Sequence, residues 1–367
     1  MTTQPQFLTK IKQSLCPPGN GVFTVNTAKE RKAALHQALY GQTDNIEALW
    51  SESLDTLTTS SKAVILGIAS DCGGGILRGA NWGPLFVRST LLANYPQINA
   101  FDLGDVRVIP HLLHDKYLNQ PTISNCRKAL YQDPESKLAV SPLTITEDVL
   151  HDFYALYPDK GIFGIGGDHS ISYPLTKTYL QAKKAQGKRC AIIHFDAHTD
   201  LLVERLGIDL CFGSWCTHIL DDLHEHNHLI QIGIRSSGKP KEHWESTFGV
   251  RQHWAHEIRE NGVAPVIESI LAQLKEQAID ELYVSFDIDA LDDAFASATG
   301  TPEPDGLTPD EAMAILTSLA AQYPITGADM MEIAPFTDSS GKGAISSETT
   351  LKVGAEISAF LIEQINQ

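Results

Sequence analysis

Short, continuous apolar runs recur along this chain at intervals wide enough to hold a helix, and they restrict the fold more than any other feature. They are residues 63–69 (AVILGIA), 161–166 (GIFGIG), 190–195 (CAIIHF), 229–234 (LIQIGI), 282–288 (LYVSFDI) and 325–333, around ADMMEI. A run that is apolar at every position, not at alternate ones, reads as a strand covered on both faces. Between them lie stretches that read as helices, over 84–95, 172–186, 265–277, 309–322 and 349–365. Strands alternating with helices predict a parallel sheet with helices on both sides. The alternation runs unbroken from about residue 62 to the end, so residues 61–367 read as one domain. Residues 1–60 are polar and mixed, with Pro17, Pro18 and Gly19 ahead of helices near 28–39 and 46–57, and read as an N-terminal extension.

Ligands of such sheets bind at the carboxyl ends of the strands, so the residues after each run carry the functional argument. Gly167-Asp168-His169-Ser170 follows the second run, and Asp196-Ala197-His198-Thr199-Asp200 the third. Asp287-Ile288-Asp289 closes the run at 282–288, and Glu332 follows ADMM. Asp196, His198 and Asp200 alternate, so on an extended segment their side chains point the same way, as do Asp287 and Asp289. Like charges held that close repel unless a cation lies between them. His169, Asp196, His198, Asp200, Asp287 and Asp289 make two imidazoles and four carboxylates, more than one ion needs. Six ligands with two bridging carboxylates suit two divalent cations about 3.5–4 Å apart, which lower the pKa of bound water. Oxygen and nitrogen donors without thiolate favour Mn²⁺ over structural Zn²⁺.

The net charge agrees with this picture. Lys and Arg number 28 against 45 Asp and Glu, a balance of −17. It argues against nucleic acid and anionic membrane surfaces as partners, both of which require a basic face. A chain of 367 residues buries a core without help from a metal, so a metal here would be chemical. The six cysteines form no CxxC pair, the N-terminus does not read as a secretory signal, and no run is long enough to span a membrane. The expected location is cytoplasmic.

GGDHS, DAHTD, SFDIDALDDAF followed by TGTPEPDGLT, and MMEIAP, in that order, resemble the ureohydrolases: arginase, agmatinase, guanidinobutyrase and relatives. The likeness runs from about residue 62 to the C-terminus and includes Arg78-Gly79-Ala80-Asn81-Trp82-Gly83-Pro84 and Asp102-Leu-Gly-Asp-Val106. The resemblance implies a three-layer α/β/α sandwich with a mostly parallel sheet and two Mn²⁺ per chain. By position, His169, Asp196, Asp200 and Asp287 would hold one ion, and Asp196, His198, Asp287 and Asp289 the other. Glu332 would pair with the substrate guanidinium, and Asp289 would move the proton. A homo-oligomer, trimer or hexamer, is also implied.

The specificity loop departs from the pattern. Leu201-Leu202-Val203-Glu204-Arg205 lacks the Asn of arginases, which points away from arginine as substrate. Where agmatinases carry His-Gly-Thr-x-Phe, this chain reads Cys211-Phe-Gly-Ser-Trp-Cys-Thr-His218, leaving His218 as the candidate proton shuttle or as a packing residue. Trp82 and Trp215 are candidates for the pocket wall or for the core. The expected activity is hydrolysis of a guanidino compound to urea and an amine. Release of formamide from formiminoglutamate is the alternative, with Arg78 or Arg205 meeting the acid, and arginase activity is a further one. His224, His226 and His228 precede a strand at its amino end and read as a solvated loop.

Overall fold

The structure is a computed structural model and describes residues 2–22, 24, 26–75, 77–337 and 344–367. Nine strands form one sheet: β1 (Leu15–Cys16), β2 (Ala63–Gly67), β3 (Phe101–Val106), β4 (Gly161–Ile165), β5 (Cys190–Phe195), β6 (Leu229–Ile234), β7 (Arg251–Trp254), β8 (Glu281–Asp287) and β9 (Ile325–Met331). Their order across the sheet is β1-β3-β2-β4-β9-β8-β5-β6-β7, and every pairing is parallel except β1 with β3.

Side chains alternate between the two faces, as the pleat requires. Ala191, Ile193 and Phe195 enter one apolar layer, with Val284 and Phe286 of β8. The helices α4 (Gly83–Asn94), α10 (Val263–Glu276), α11 (Pro309–Ala320) and α12 (Ala344–Ile365) cover it. Cys190 and Ile192 enter the opposite layer, beneath α1 (Gln4–Ser14), α6 (Pro142–Leu156) and α7 (Ser172–Ala185). This is the three-layer α/β/α sandwich that the resemblance implied. Each Ile or Phe buried this completely contributes about 1.5–3 kcal/mol. Local signals set the helix starts. In α11 the Thr308 hydroxyl accepts from the Glu311 amide at 3.2 Å while Glu311 accepts from the Thr308 amide at 2.8 Å, a reciprocal cap with Pro309 in the first turn.

Three strands were hidden from the apolar-run criterion: β1, which is only two residues long, β3 and β7. β3 reads FDLGDV and β7 reads RQHW; Asp102 and Asp105 of the first and Gln252 of the second are paired inside the structure, and pairing replaces apolarity as the condition for burial. The first 60 residues are tied to the sheet. Leu15 and Cys16 pair with Val106 and Asp105, Phe7, Ile11 and Trp50 are buried, and the Trp50 indole donates to the Leu103 carbonyl at 3.1 Å. The strands β4, β9, β8 and β5 lie side by side at the centre. The four segments with the acidic and imidazole residues therefore leave the sheet next to one another.

Candidate metal centre and substrate pocket

His169 stands in a short 3₁₀ turn after β4, opened by Asp168, whose carboxylate accepts from the Ser170 amide at 3.0 Å. Its Nδ1 faces Asp196 at 3.0 Å, Asp287 at 3.1 Å and Asp200 at 3.2 Å, and has no hydrogen bond. Its Nε2 lies 3.0 Å from the Ser285 hydroxyl. That hydroxyl donates to Asp329 Oδ1 at 2.8 Å, so it receives the His169 Nε2–H. Tyr283 and Ser172 donate to the other oxygen of Asp329. This buried set fixes the ring and leaves Nδ1 to meet three carboxylates, as a lone pair on a shared cation or with a proton.

His198 mirrors the arrangement on the far side of Asp196. Its Nδ1 lies 3.2 Å from Asp289 and 3.3 Å from Asp196, while Nε2 faces Glu303 at 3.4 Å. A ring nitrogen turned to a shared site with its partner nitrogen on a carboxylate is the usual environment of a metal-binding histidine. Ser236 holds the same Glu303 oxygen at 2.8 Å, and Thr301 donates to Asp289 at 3.0 Å. Two sets of side chains have atoms close enough to share an ion: His169, His194, Asp196 and Asp200, and Asp196, His198 and Asp289. Asp196 belongs to both.

The electrostatics are unbalanced. Burial works against charge on His169, but Asp196, Asp287 and Asp200 outweigh it and hold the imidazole well above its ordinary range. Burial and then Asp196 push Asp200 up, and burial and then Asp289 push Asp287 up, both well above the usual carboxylate range. Among the described residues no Lys or Arg pairs with any of these four carboxylates; their only ionic partners are histidines. Buried like charges with an orphaned imidazole nitrogen between them fit divalent cations.

Glu332 follows β9 in the left-handed conformation, φ 63°, and Asp200 has φ 51°. Backbone held there in a non-glycine residue costs about 1–3 kcal/mol and gathers at functional sites. Glu332 Oε1 accepts from the His169 amide at 2.9 Å. Burial, then Asp287 and Asp168, push its carboxyl well above the usual range. Asp168 is itself raised to about 6, by burial and by Asp71. The negative field is therefore continuous from the cluster to Glu332.

His169, Asp196, His198, Asp200, Asp287, Asp289 and Glu332 are thus gathered in one place. The route differs from the extended one expected. The His198 amide donates to Asp196 Oδ1 at 2.6 Å and the Asp289 amide to Asp287 Oδ1 at 2.9 Å. Both segments turn, and His198 and Asp200 face different partners. His218 is not brought to the cluster by its contacts. Its Nε2 lies on the Asp209 carbonyl at 2.9 Å, and its ring packs on Tyr173. Trp215 is core and site at once: fully buried, its indole donates to Asp200 at 2.8 Å. Trp82 packs edge-on against Phe86 and Phe336. His228 is buried, unlike the solvated loop expected there. Sequence reasoning passed over His194 and Glu303. His194 sits two residues before Asp196, the same alternation that selected the ligands. Glu303 lies inside TGTPEPDGLT with no periodic signal of its own.

Residues 61–361 match the family model described as the Arginase family. The chain is 31% identical over 302 residues to the mitochondrial agmatinase of Gallus gallus, covering 77% of each chain. It is 30% identical over 300 residues to the mitochondrial guanidino acid hydrolase of Homo sapiens, covering 77% of this chain and 74% of that one. Among solved structures it is similar to proclavaminate amidinohydrolase from Streptomyces clavuligerus, with a TM-score of 0.62 and 26% identity over 84% of this chain and 92% of the other.

Proposed function

The chain belongs to the arginase family of ureohydrolases, and from that premise we propose that it binds two divalent metal ions and hydrolyses a guanidino compound to urea and an amine. The carrying observation is the set of four buried carboxylates and two imidazoles that converges without a Lys or Arg partner among the described residues. His169, Asp196, Asp200 and Asp287 would hold one ion, and Asp196, His198, Asp287 and Asp289 the other. Mn²⁺ suits oxygen and nitrogen donors without thiolate. Bound there, the cations would supply Lewis acidity, lowering the pKa of water so that its oxygen can attack the guanidinium carbon near neutral pH.

The chain's own residues do the rest. Glu332 receives the guanidinium in a charge-assisted pair; its Oε1 is held by the His169 amide, and Gly300 leaves room beside Oε2. Asp289, oriented by Thr301 and by the Ala197 amide, takes the proton of the attacking water and returns it to the leaving amine. His218 has no step in this scheme, since the Asp209 carbonyl occupies its Nε2.

Arg205 bears on the substrate's tail. It lines a cavity of about 180 Å³ together with His198 and Asp200, and its guanidinium lies 5.0 Å over the Phe212 ring. A cation there supports an acidic tail, as in guanidinobutyrate. The same cation would serve a formimino acid, the second reading, which releases formamide and not urea. The cysteines found are all free, which supports a reducing, cytoplasmic setting, and no described helix is long and apolar enough to cross a membrane. Leu202, Val203, Leu206 and Ile208 are exposed in the chain segment that carries Arg205, which supports a homo-oligomer, trimer or hexamer, that covers them.

The test is product release by the Mn²⁺-loaded protein across agmatine, 4-guanidinobutyrate, 3-guanidinopropionate, guanidine, L-arginine and formiminoglutamate. Urea from a guanidino compound other than arginine is expected, with the acids ahead of agmatine. Silence on every compound, with metal demonstrably bound, would defeat the proposal.

A further inference from the structure

A row of polar side chains crosses the otherwise apolar sheet beneath the metal centre. Asp329 of β9, Ser285 of β8, His194 of β5, Gln231 of β6 and Gln252 of β7 are register partners, each opposite the next. All five are fully buried. Asp329 and Ser285 fix His169, as described above. The other half of the row bears on His194, whose Nε2 lies 2.9 Å from Asp196 Oδ2 and which is near enough to the carboxylates to be taken for a ligand itself.

The directions of the nitrogen and oxygen hydrogen bonds in this half can be deduced; the Cys216 thiol, 3.7 Å from His194 Nδ1, can donate to it as well. The Trp254 indole is only a donor, and it lies 2.8 Å from one amide atom of Gln252, which must be the oxygen. The Gln252 nitrogen then faces Gln231 at 2.7 Å, so the atom it meets is the Gln231 oxygen. The Gln231 nitrogen is left for the Thr199 carbonyl at 2.6 Å and for His194 Nδ1 at 2.9 Å. The Thr199 carbonyl is only an acceptor, so it demands the same orientation of Gln231 from the opposite end. A flipped amide would set two oxygens against each other. His194 Nδ1 is therefore an acceptor, the proton is on Nε2, and it is donated to Asp196.

We infer that His194 is a positioning residue and not a metal ligand: a neutral imidazole, locked in its Nε2–H form by the chain Trp254–Gln252–Gln231, that orients the carboxylate shared by both ion sites. This rests on the two-ion reading of the site. An outer partner of this kind typically contributes 10–100-fold to metal affinity without supplying a bond to the ion.

Two measurements test it. The first is ¹⁵N-histidine NMR of the metal-free protein, with His194 assigned by its loss in His194→Gln. The Nε2–H tautomer is expected, and an Nδ1–H tautomer or an imidazolium would overturn the inference. The second is Mn²⁺ titration by calorimetry. His194→Leu should still bind two ions per chain, 10–100-fold more weakly. His194→Gln, whose amide can reach Asp196 as a donor, should recover most of that loss. Gln231→Glu, which presents an acceptor to Nδ1, should weaken binding in the wild-type background but not in His194→Leu. Loss of one ion in both His194 variants would identify a ligand and overturn the proposal. Wild-type protein that binds no ion would instead defeat the two-ion reading and with it the positioning role, while the tautomer would still be read from the metal-free spectrum.

Discussion

Along β3, Asp102 and Asp105 share the guanidinium of Arg88; at the ends of β5 and β8, Asp196, Asp200, Asp287 and Asp289 share no guanidinium or ammonium among the described residues. Both groups are buried. Arg88 grips Asp102 with two nitrogens, at 2.8 and 3.0 Å, and also donates to Asp105 and to the Gly104 carbonyl. Asp105 Oδ2 accepts from the Gly19 and Gly21 amides at 2.8 and 3.0 Å. Burial alone would push the Arg88 guanidinium down, but Asp102 and Asp105 hold it above its ordinary range. A side chain at Gly67 would collide with Asp105 and Arg88, so the pairing is built into the backbone of β2. The first cluster is closed by the chain itself and is structural. The second has the same kind of charge in the same kind of place without its counter-charge, and that difference marks it as a site for cations from solution.

The contrast can be broken most sharply by removing an acid from the open cluster. Asp287→Asn should lower urea release by about 1,000-fold or more, since the lost Lewis acidity amounts to several kcal/mol of barrier. In the metal-free protein the same change removes a like charge, so its melting temperature should be no lower than that of metal-free wild type. A large drop in that temperature would mean that Asp287 is held by a structural partner, as Asp102 is.

Removing the cation from the closed cluster should do the opposite. Arg88→Met leaves two buried carboxylates unpaired and should cost about 3–5 kcal/mol of stability in denaturant unfolding. Added Mn²⁺ should raise the unfolding midpoint of this variant by no more than it raises that of wild type. A variant that unfolds like wild type would show that Asp102 and Asp105 are satisfied without Arg88.

Chelation gives a smaller effect. At free Mn²⁺ of 100 times the dissociation constant, one bound ion stabilises the fold by about 2.7 kcal/mol, and a metal chelator should remove that gain. Unchanged unfolding would show that the open cluster does not take up the ion. Smaller again is the effect of Glu303→Gln, which keeps the shape but weakens the charge on His198 Nε2. It should loosen Mn²⁺ about 10-fold, within the range of outer-partner substitutions, and leave the stability of metal-free protein in place.

The same contrast explains what could be read from the amino-acid order. The open cluster was legible because its residues follow apolar runs, and an apolar strand ending in Asp-x-His-x-Asp has no structural purpose in isolation. The closed cluster hid its strand: FDLGDV looks like a loop until Arg88, on α4, is known to sit against it. β7 was hidden likewise by Gln252, which is buried because Gln231 and Trp254 pair with it. His194 was in plain view in CAIIHF, but its role depends on two amides contributed by two neighbouring strands, Gln231 of β6 and Gln252 of β7, which no local pattern records. Nor could spacing show that Asp196 and Asp287 fold back on the amides two residues ahead, or that Asp200 takes a left-handed backbone. Those choices are made by tertiary contacts with His169 and Trp215.

The central claim is that the second acid cluster is completed by two divalent ions. Metal content per chain, measured by elemental analysis and by calorimetric titration of the chelated protein with Mn²⁺, tests it most directly. Two ions per chain, with activity returning as the second site fills, is the predicted result. A protein that releases urea with one ion or none per chain would contradict it.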